Sequence, residues 1–180
     1  MTKISALPTD SLPTSTDYIP TLDSETNTTK KAQLSTLTPM YNPYKFHVYR
    51  GTAQSTGTAG FFKVNLNTEV FDTNNNFDAS TNFRFDVPIT GYYQFNGAVA
   101  YAGSGSGVHH IATLYKNGSE VLRGMEGAYG NAANHQSIVG GMLYLTAGDY
   151  IELYGYSLTN YSLIASSYQT YLTGFLVSRS

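Results

Sequence analysis

The 180-residue chain contains no cysteine, carries few charges and has no long apolar run. Without cysteine there is no disulfide framework to staple a small fold, so the chain must be held by its core. Charged residues make up only 12% and the formal net charge is −2, which leaves no basic footprint for nucleic acid or an anionic membrane. No apolar stretch approaches the length of a bilayer-spanning helix, which excludes membrane insertion by that route. No window of twelve or more residues holds a helical period, and there is no Gly-X-Y repeat. The opening MTKISALPTD lacks the apolar core and cleavage site of a signal peptide, so the expectation is synthesis in a cytoplasm without secretory export.

What is abundant is aromatic and conformationally special. Sixteen Tyr, nine Phe and 17 Gly favour strands and turns, and the class read from composition is all-β, with a length suited to one core. The richest segment is FRFDVPITGYYQF, Phe83 to Phe95. Phe83, Phe85 and Val87 alternate with polar residues, the period of a half-buried strand. Pro88 removes a ladder donor and Thr90-Gly91 supplies a turn. A second run then places Tyr93, Phe95, Gly97, Val99 and Tyr101 on one face.

This spelling resembles the globular head of complement component one-q, within the tumour necrosis factor superfamily. The family signature has a Phe, five residues, then Gly-x-Tyr-x-Phe, matched here by Phe85, Gly91, Tyr93 and Phe95. Phe61 to Asp78, LYKNGSEVL (Leu114 to Leu122), LYLTAGDYIELYGY (Leu143 to Tyr156) and Tyr168 to Ser178 are similar to the family's other segments in the same order. Two positions depart: the spacing from Phe77 to Phe85 is one residue longer, and Gly97 stands where an aromatic is expected. The resemblance covers roughly residues 44 to 180 and implies a ten-strand jelly-roll sandwich that assembles as a homotrimer.

Residues 1–40 are a different material from the head at 41–180. Four of the six prolines lie there among Ser and Thr, too little apolar surface to fold alone. Asp17 to Leu37 nonetheless reads as strand, polar turn and strand. The segment resembles the N-terminal arms of bacteriophage fibre and decoration proteins. That resemblance implies an extended arm docking on a capsid or tail protein through Ile4, Leu7, Leu12, Tyr18, Ile19, Leu22, Leu34 and Leu37. The bland alternative is a linker without a partner.

For the head, Tyr150, Tyr154 and Tyr156 share one strand face with Glu152 while Ile151 and Leu153 take the other. Amphipathic rings suit an interface, and the expectation places subunit contacts on these tyrosines. Lys116-Asn117-Gly118-Ser119 reads as a two-residue hairpin and Ala147-Gly148-Asp149 as a tight turn. Asp72, Asn74, Asn76 and Asp78 space oxygens like the start of a calcium loop, but Phe77 and Phe83 occupy the positions needing Gly and Glu; the reading is an Asn-rich turn. His109, His110 and His135 are the clustered imidazoles, but His109 and His110, adjacent on a strand, point to opposite faces and do not readily share one ion, so no metal is expected. The Gly-rich run Ala102 to Gly107 precedes no helix and so offers no phosphate cradle. No nucleophile elbow is present, and Glu120, Glu126 and Glu152 are separated, so neither catalysis nor a cofactor is expected. Two functions follow: a non-enzymatic virion fibre or decoration protein, or a tail-fibre tip recognising a host-surface glycan or protein.

Overall fold

The computed structural model describes residues 18–33, 44–104, 108–124, 127–129 and 133–180. The chain divides into two units, residues 1–41 and 42–180. In the first, β1 (Tyr18–Asp23) and β2 (Thr28–Gln33) form an antiparallel hairpin in which Tyr18 faces Gln33 and Asp23 faces Thr28. Asn27 closes its turn with a positive φ, a conformation Asn tolerates better than most residues.

In the second unit, alternation builds two stacked antiparallel sheets. The head contains β3 (Lys45–Tyr49), β4 (Gln54–Ser55), β5 (Gly60–Lys63), β6 (Thr68–Asp72), β7 (Phe77–Asp78), β8 (Arg84–Asp86) and β9 (Gly91–Ser104). It continues with β10 (Val108–Lys116), β11 (Ser119–Arg123), β12 (Gly127–Tyr129), β13 (Ala133–Leu145), β14 (Tyr150–Ser157), β15 (Ser162–Leu163) and β16 (Tyr171–Arg179). One sheet runs β11-β10-β14-β8-β7, with β12 also on β10 and β5 also on β14. The other runs β4-β15-β9-β16-β3-β6, with β13 also on β9. This is the all-β jelly-roll sandwich, its longer strands flanked by several of two or three residues.

Between the sheets lie the aromatic signature residues. Phe46, Phe85, Tyr93 and Phe95 are all buried, with Phe46 and Phe85 stacked at 4.7 Å and Phe85 meeting Tyr93 and Phe95 edge-on at 5.8 and 6.1 Å. Each such ring contributes about 2–3 kcal/mol by leaving water. The Tyr93 hydroxyl donates to the Ile89 carbonyl at 2.7 Å, and burial pushes its pKa up to about 12. Gly91 is required by close approach: a Cβ there would lie 2.4 Å from the Ser178 carbonyl oxygen of β16. At Gly97, Leu172 and Leu153 already close to within 3.1 and 3.2 Å of a Cβ position, so an aromatic ring in this place has no room.

The alternation expected from Phe83 begins one residue later. Asp78 gathers the backbone N–H groups of Ser80, Thr81 and Asn82 at 2.9 to 3.0 Å, curling the chain and leaving Phe83 at φ 49°. These N–H donors hold the Asp78 carboxyl well below the usual carboxylate range. The tight loop takes up the extra residue between Phe77 and Phe85, which remain directly paired across β7 and β8. Asn117 and Gly118, at φ 51° and 79°, form the two-residue turn between β10 and β11. Asn117 then ties that turn to the next one, donating to Asp149 at 2.7 Å and accepting from the Tyr150 N–H at 2.9 Å.

Candidate functional site

The sandwich has two outward faces of different character. On the β10–β14 sheet, Tyr150, Glu152, Tyr154 and Tyr156 alternate outward from β14 while Ile151 and Leu153 enter the core. Each tyrosine is already engaged. Arg84 lies over the Tyr150 ring at 4.3 Å, Tyr154 stacks on Tyr115 at 4.0 Å, and Tyr156 meets Phe61 at 4.9 Å. Burial, then the nearby Glu152, raises the Tyr154 pKa. Glu152 itself is buried and ion-paired with Lys63 of β5.

Where this face reaches β11, a second ion pair is held rigidly. Arg123 grips Glu120 with two parallel bonds, Nε at 2.7 Å and Nη2 at 2.6 Å, and the Thr113 hydroxyl donates to the same carboxylate at 2.8 Å. The Arg123 bond foremost, with burial opposing, depresses the Glu120 pKa. The guanidinium also lies 5.3 Å over the Phe61 ring. Below it opens a cleft of about 480 Å³ lined by Phe61, His109, Ile111, Arg123, Tyr156 and Leu158. The register explains the site: Ile111 on β10 faces Tyr156 on β14, which in turn faces Phe61 on β5. One cross-strand row therefore forms the floor and one wall.

The face of the other sheet is apolar and open. Ile138, Met142 and Tyr144 alternate outward along β13 with 55%, 56% and 51% exposure, joined by Tyr92 on β9 and by Phe175 and Val177 on β16. Tyr144 pairs with Tyr92 across the strands, their rings 5.2 Å apart, and Met142, Gln94 and Phe175 form the next row. Sequence reasoning missed this face. Its signal was present: residues 138–145 are apolar at both alternating positions, the mark of a strand covered on both sides.

In the interior, His109 and His110 do point to opposite faces, one exposed and one 0% exposed. His110 stacks on Tyr101 at 3.8 Å, meets Tyr161 edge-on at 5.1 Å and lies 6.3 Å from His135. Neither of its ring nitrogens has a hydrogen-bond partner. Burial pushes its pKa down to about 4, opposed in part by the Tyr156 carbonyl and aided by His135. The Tyr101 hydroxyl beside it sits 3.1 Å from both the Ile111 and Tyr156 carbonyls.

In the Asn-rich loop, Asp72 accepts the Phe77 N–H at 2.7 Å and Asp78 faces the following turn, so the two carboxylates serve backbone groups of different loops. Among the described residues no group of three acidic, His or Cys side chains could hold a metal. Of the expected arm residues, Tyr18 and Ile19 are exposed on β1, Tyr18 beneath the Lys31 ammonium at 4.4 Å, and Leu22 stands opposite Thr29. Ile4, Leu7, Leu12, Leu34 and Leu37 lie outside the described residues, as do Glu126 and the end of the Gly-rich run at 105–107.

Against known proteins, the model of the C1q domain matches residues 45–177. Among solved structures, the globular domain of the zebrafish complement 1qA protein is similar at 17% identity and TM-score 0.56, covering 76% of this chain and 99% of that one. Eiger TNF from S. frugiperda is similar at 10% identity and TM-score 0.59, covering 76% and 94%. Murine APRIL is similar at 16% identity and TM-score 0.56, covering 74% and 98%. No curated protein matches the chain.

Proposed function

The chain belongs to the C1q domain family, a family of trimeric proteins, and from that premise we propose that it is a non-catalytic head that works as a homotrimer and projects from a virus particle. The single observation that carries the trimer is the open apolar face of β13, β9 and β16. Ile138, Met142, Tyr144, Tyr92, Phe175 and Val177 share one side of one sheet. Six exposed apolar side chains on one side of one sheet are costly to leave in water and mark an interface. It is preferred to Tyr150, Tyr154 and Tyr156 because those rings already pack on Arg84, Tyr115 and Phe61.

The purified chain should sediment at three times its 19.6 kDa mass. Met142→Lys with Ile138→Lys should give folded monomers, since two desolvated charges have no partner in the interface. Tyr154→Lys should leave the trimer intact. A monomeric wild type, or a trimer indifferent to the first pair and broken by the second, would return the contact to the tyrosine stripe or abolish it.

The virion part rests on the resemblance of residues 1–40 to phage fibre and decoration arms. In this reading the arm docks on a capsid or tail protein and the head faces outward. Particles assembled with full-length chain should contain it by mass spectrometry, and particles assembled with residues 42–180 alone should not. Equal incorporation of both would remove the docking role.

A further inference from the structure

We propose that the cleft between Phe61 and Arg123 is a binding site for a neutral pyranose ring. The inference goes beyond the trimeric head: the site lies on the β10–β14 sheet, not on the apolar face assigned to subunit contact.

Three features select this ligand class. First, the wall and floor are aromatic and aliphatic: Phe61, Tyr156, Ile111 and Leu158 line about 480 Å³. That lies within the range of small-ligand pockets. An aromatic face carries negative quadrupole density, which attracts the polarised C–H groups on one face of a pyranose. Second, the polar rim holds an arginine fixed by its ion pair. Arg123 is clamped on both Glu120 oxygens and Glu120 is further held by Thr113, so the guanidinium is preorganised and loses little freedom on binding. Arg123 and His109 are the polar side chains that line the cleft, and their nitrogens are the groups that meet a sugar's hydroxyls.

Third, charge argues against an anion. The guanidinium is already compensated by its bidentate carboxylate, so an acidic ligand would have to compete with Glu120 and sit beside its charge. A hydroxylated neutral ring faces neither cost.

The test is saturation-transfer NMR on the full chain, irradiating its aromatic protons. The probes are methyl glucopyranoside, galactopyranoside and mannopyranoside, N-acetylglucosamine, and N-acetylneuraminic acid as the anionic comparison. At least one neutral pyranoside should receive saturation on its ring C–H protons at about 20 mM, where millimolar binding is well populated. Phe61→Ala and, separately, Arg123→Gln should each weaken it at least tenfold, with Phe61→Tyr retaining it. Tyr168→Ala, at an exposed ring that belongs neither to the cleft nor to the apolar face, should change nothing. The second site variant guards against loss of fold in the first, and near-ultraviolet circular dichroism checks both. Transfer to no neutral sugar, transfer to N-acetylneuraminic acid alone, or transfer that survives both Phe61→Ala and Arg123→Gln would overturn the proposal. Because the probes are single sugars, the result reads one cleft whether the chain is a trimer or a monomer, so the two proposals fail separately.

Discussion

Between pH 7 and pH 4 the side chain with most to lose is His110, sealed between Tyr101, Tyr161 and His135 with neither nitrogen satisfied. Its folded pKa of about 4 lies below the ordinary 6.5, so the unfolded chain takes up the proton first. Stability should be full above pH 6.5 and decline as pH falls toward 4, by up to about 3 kcal/mol from this group. Urea unfolding at pH 7, 5.5 and 4.5 measures that slope, and His110→Phe should flatten it. The carboxylates bound by N–H groups or cations act in a lower window. Asp78, Glu120 and Asp149 all have depressed pKa values, so their stabilisation is lost only as pH falls below the ordinary carboxylate range. A slope between pH 6.5 and 4 that persists in the Phe variant would place the effect elsewhere. None of this was legible in the sequence, where His110 is only one of an adjacent pair; its burial depends on Tyr101 and Tyr161 arriving from distant strands.

At the scale of elements, the strands were legible wherever one face alternates with the other. β9 and β14 obey the period of two without exception on their core sides, because a one-residue slip would expose Tyr93, Phe95 and Tyr101 of β9 and Ile151 and Leu153 of β14. Turn chemistry was equally plain at Asn117-Gly118, whose positive φ values these two residues tolerate. Phe83 was misread because the pull of the Asp78 carboxylate on three backbone N–H groups is invisible to periodicity. The corner at Gly91 shows how local and distant constraints coincide: the turn suggests Gly, but it is the Ser178 carbonyl of β16 that forbids anything larger. Gly91→Ala should therefore cost about 1–3 kcal/mol, as overpacking against backbone does. Differential scanning calorimetry would register this as a fall of several degrees in Tm. An unchanged Tm would mean that β16 can move aside.

For the whole molecule, the described core of the head runs from Phe46 to Leu176, within residues 42–180. A chain of residues 42–180 should fold without the first unit and melt within about 2 °C of the full chain, since it keeps every described core side chain of the head. Thermal unfolding followed by circular dichroism decides this, and a fragment that fails to fold would make residues 1–41 part of the head's stability. The same scale governs the two outward faces. Assigning them requires knowing which strands are neighbours, and β13 is placed beside β9 only by the jelly-roll order. Tyr92 and Tyr144, 52 positions apart in the chain, become one aromatic pair that way. The tyrosine stripe on β14 looked like the natural interface because its period is visible in a single strand. Its covering by Phe61, Arg84 and Tyr115 comes from three other strands.

Composition and alternation by themselves determined that this chain is all-β, because period two and turn residues act within a few positions of each other; the jelly-roll sandwich was implied by the resemblance of Phe85, Gly91, Tyr93 and Phe95 to the complement-head signature. Tertiary structure alone decided which alternating face stays open, where Phe61 and Arg123 border an open cleft, and which histidine is cut off from water. Those outcomes depend on contacts between residues far apart in the chain, which strand order creates and local pattern does not encode.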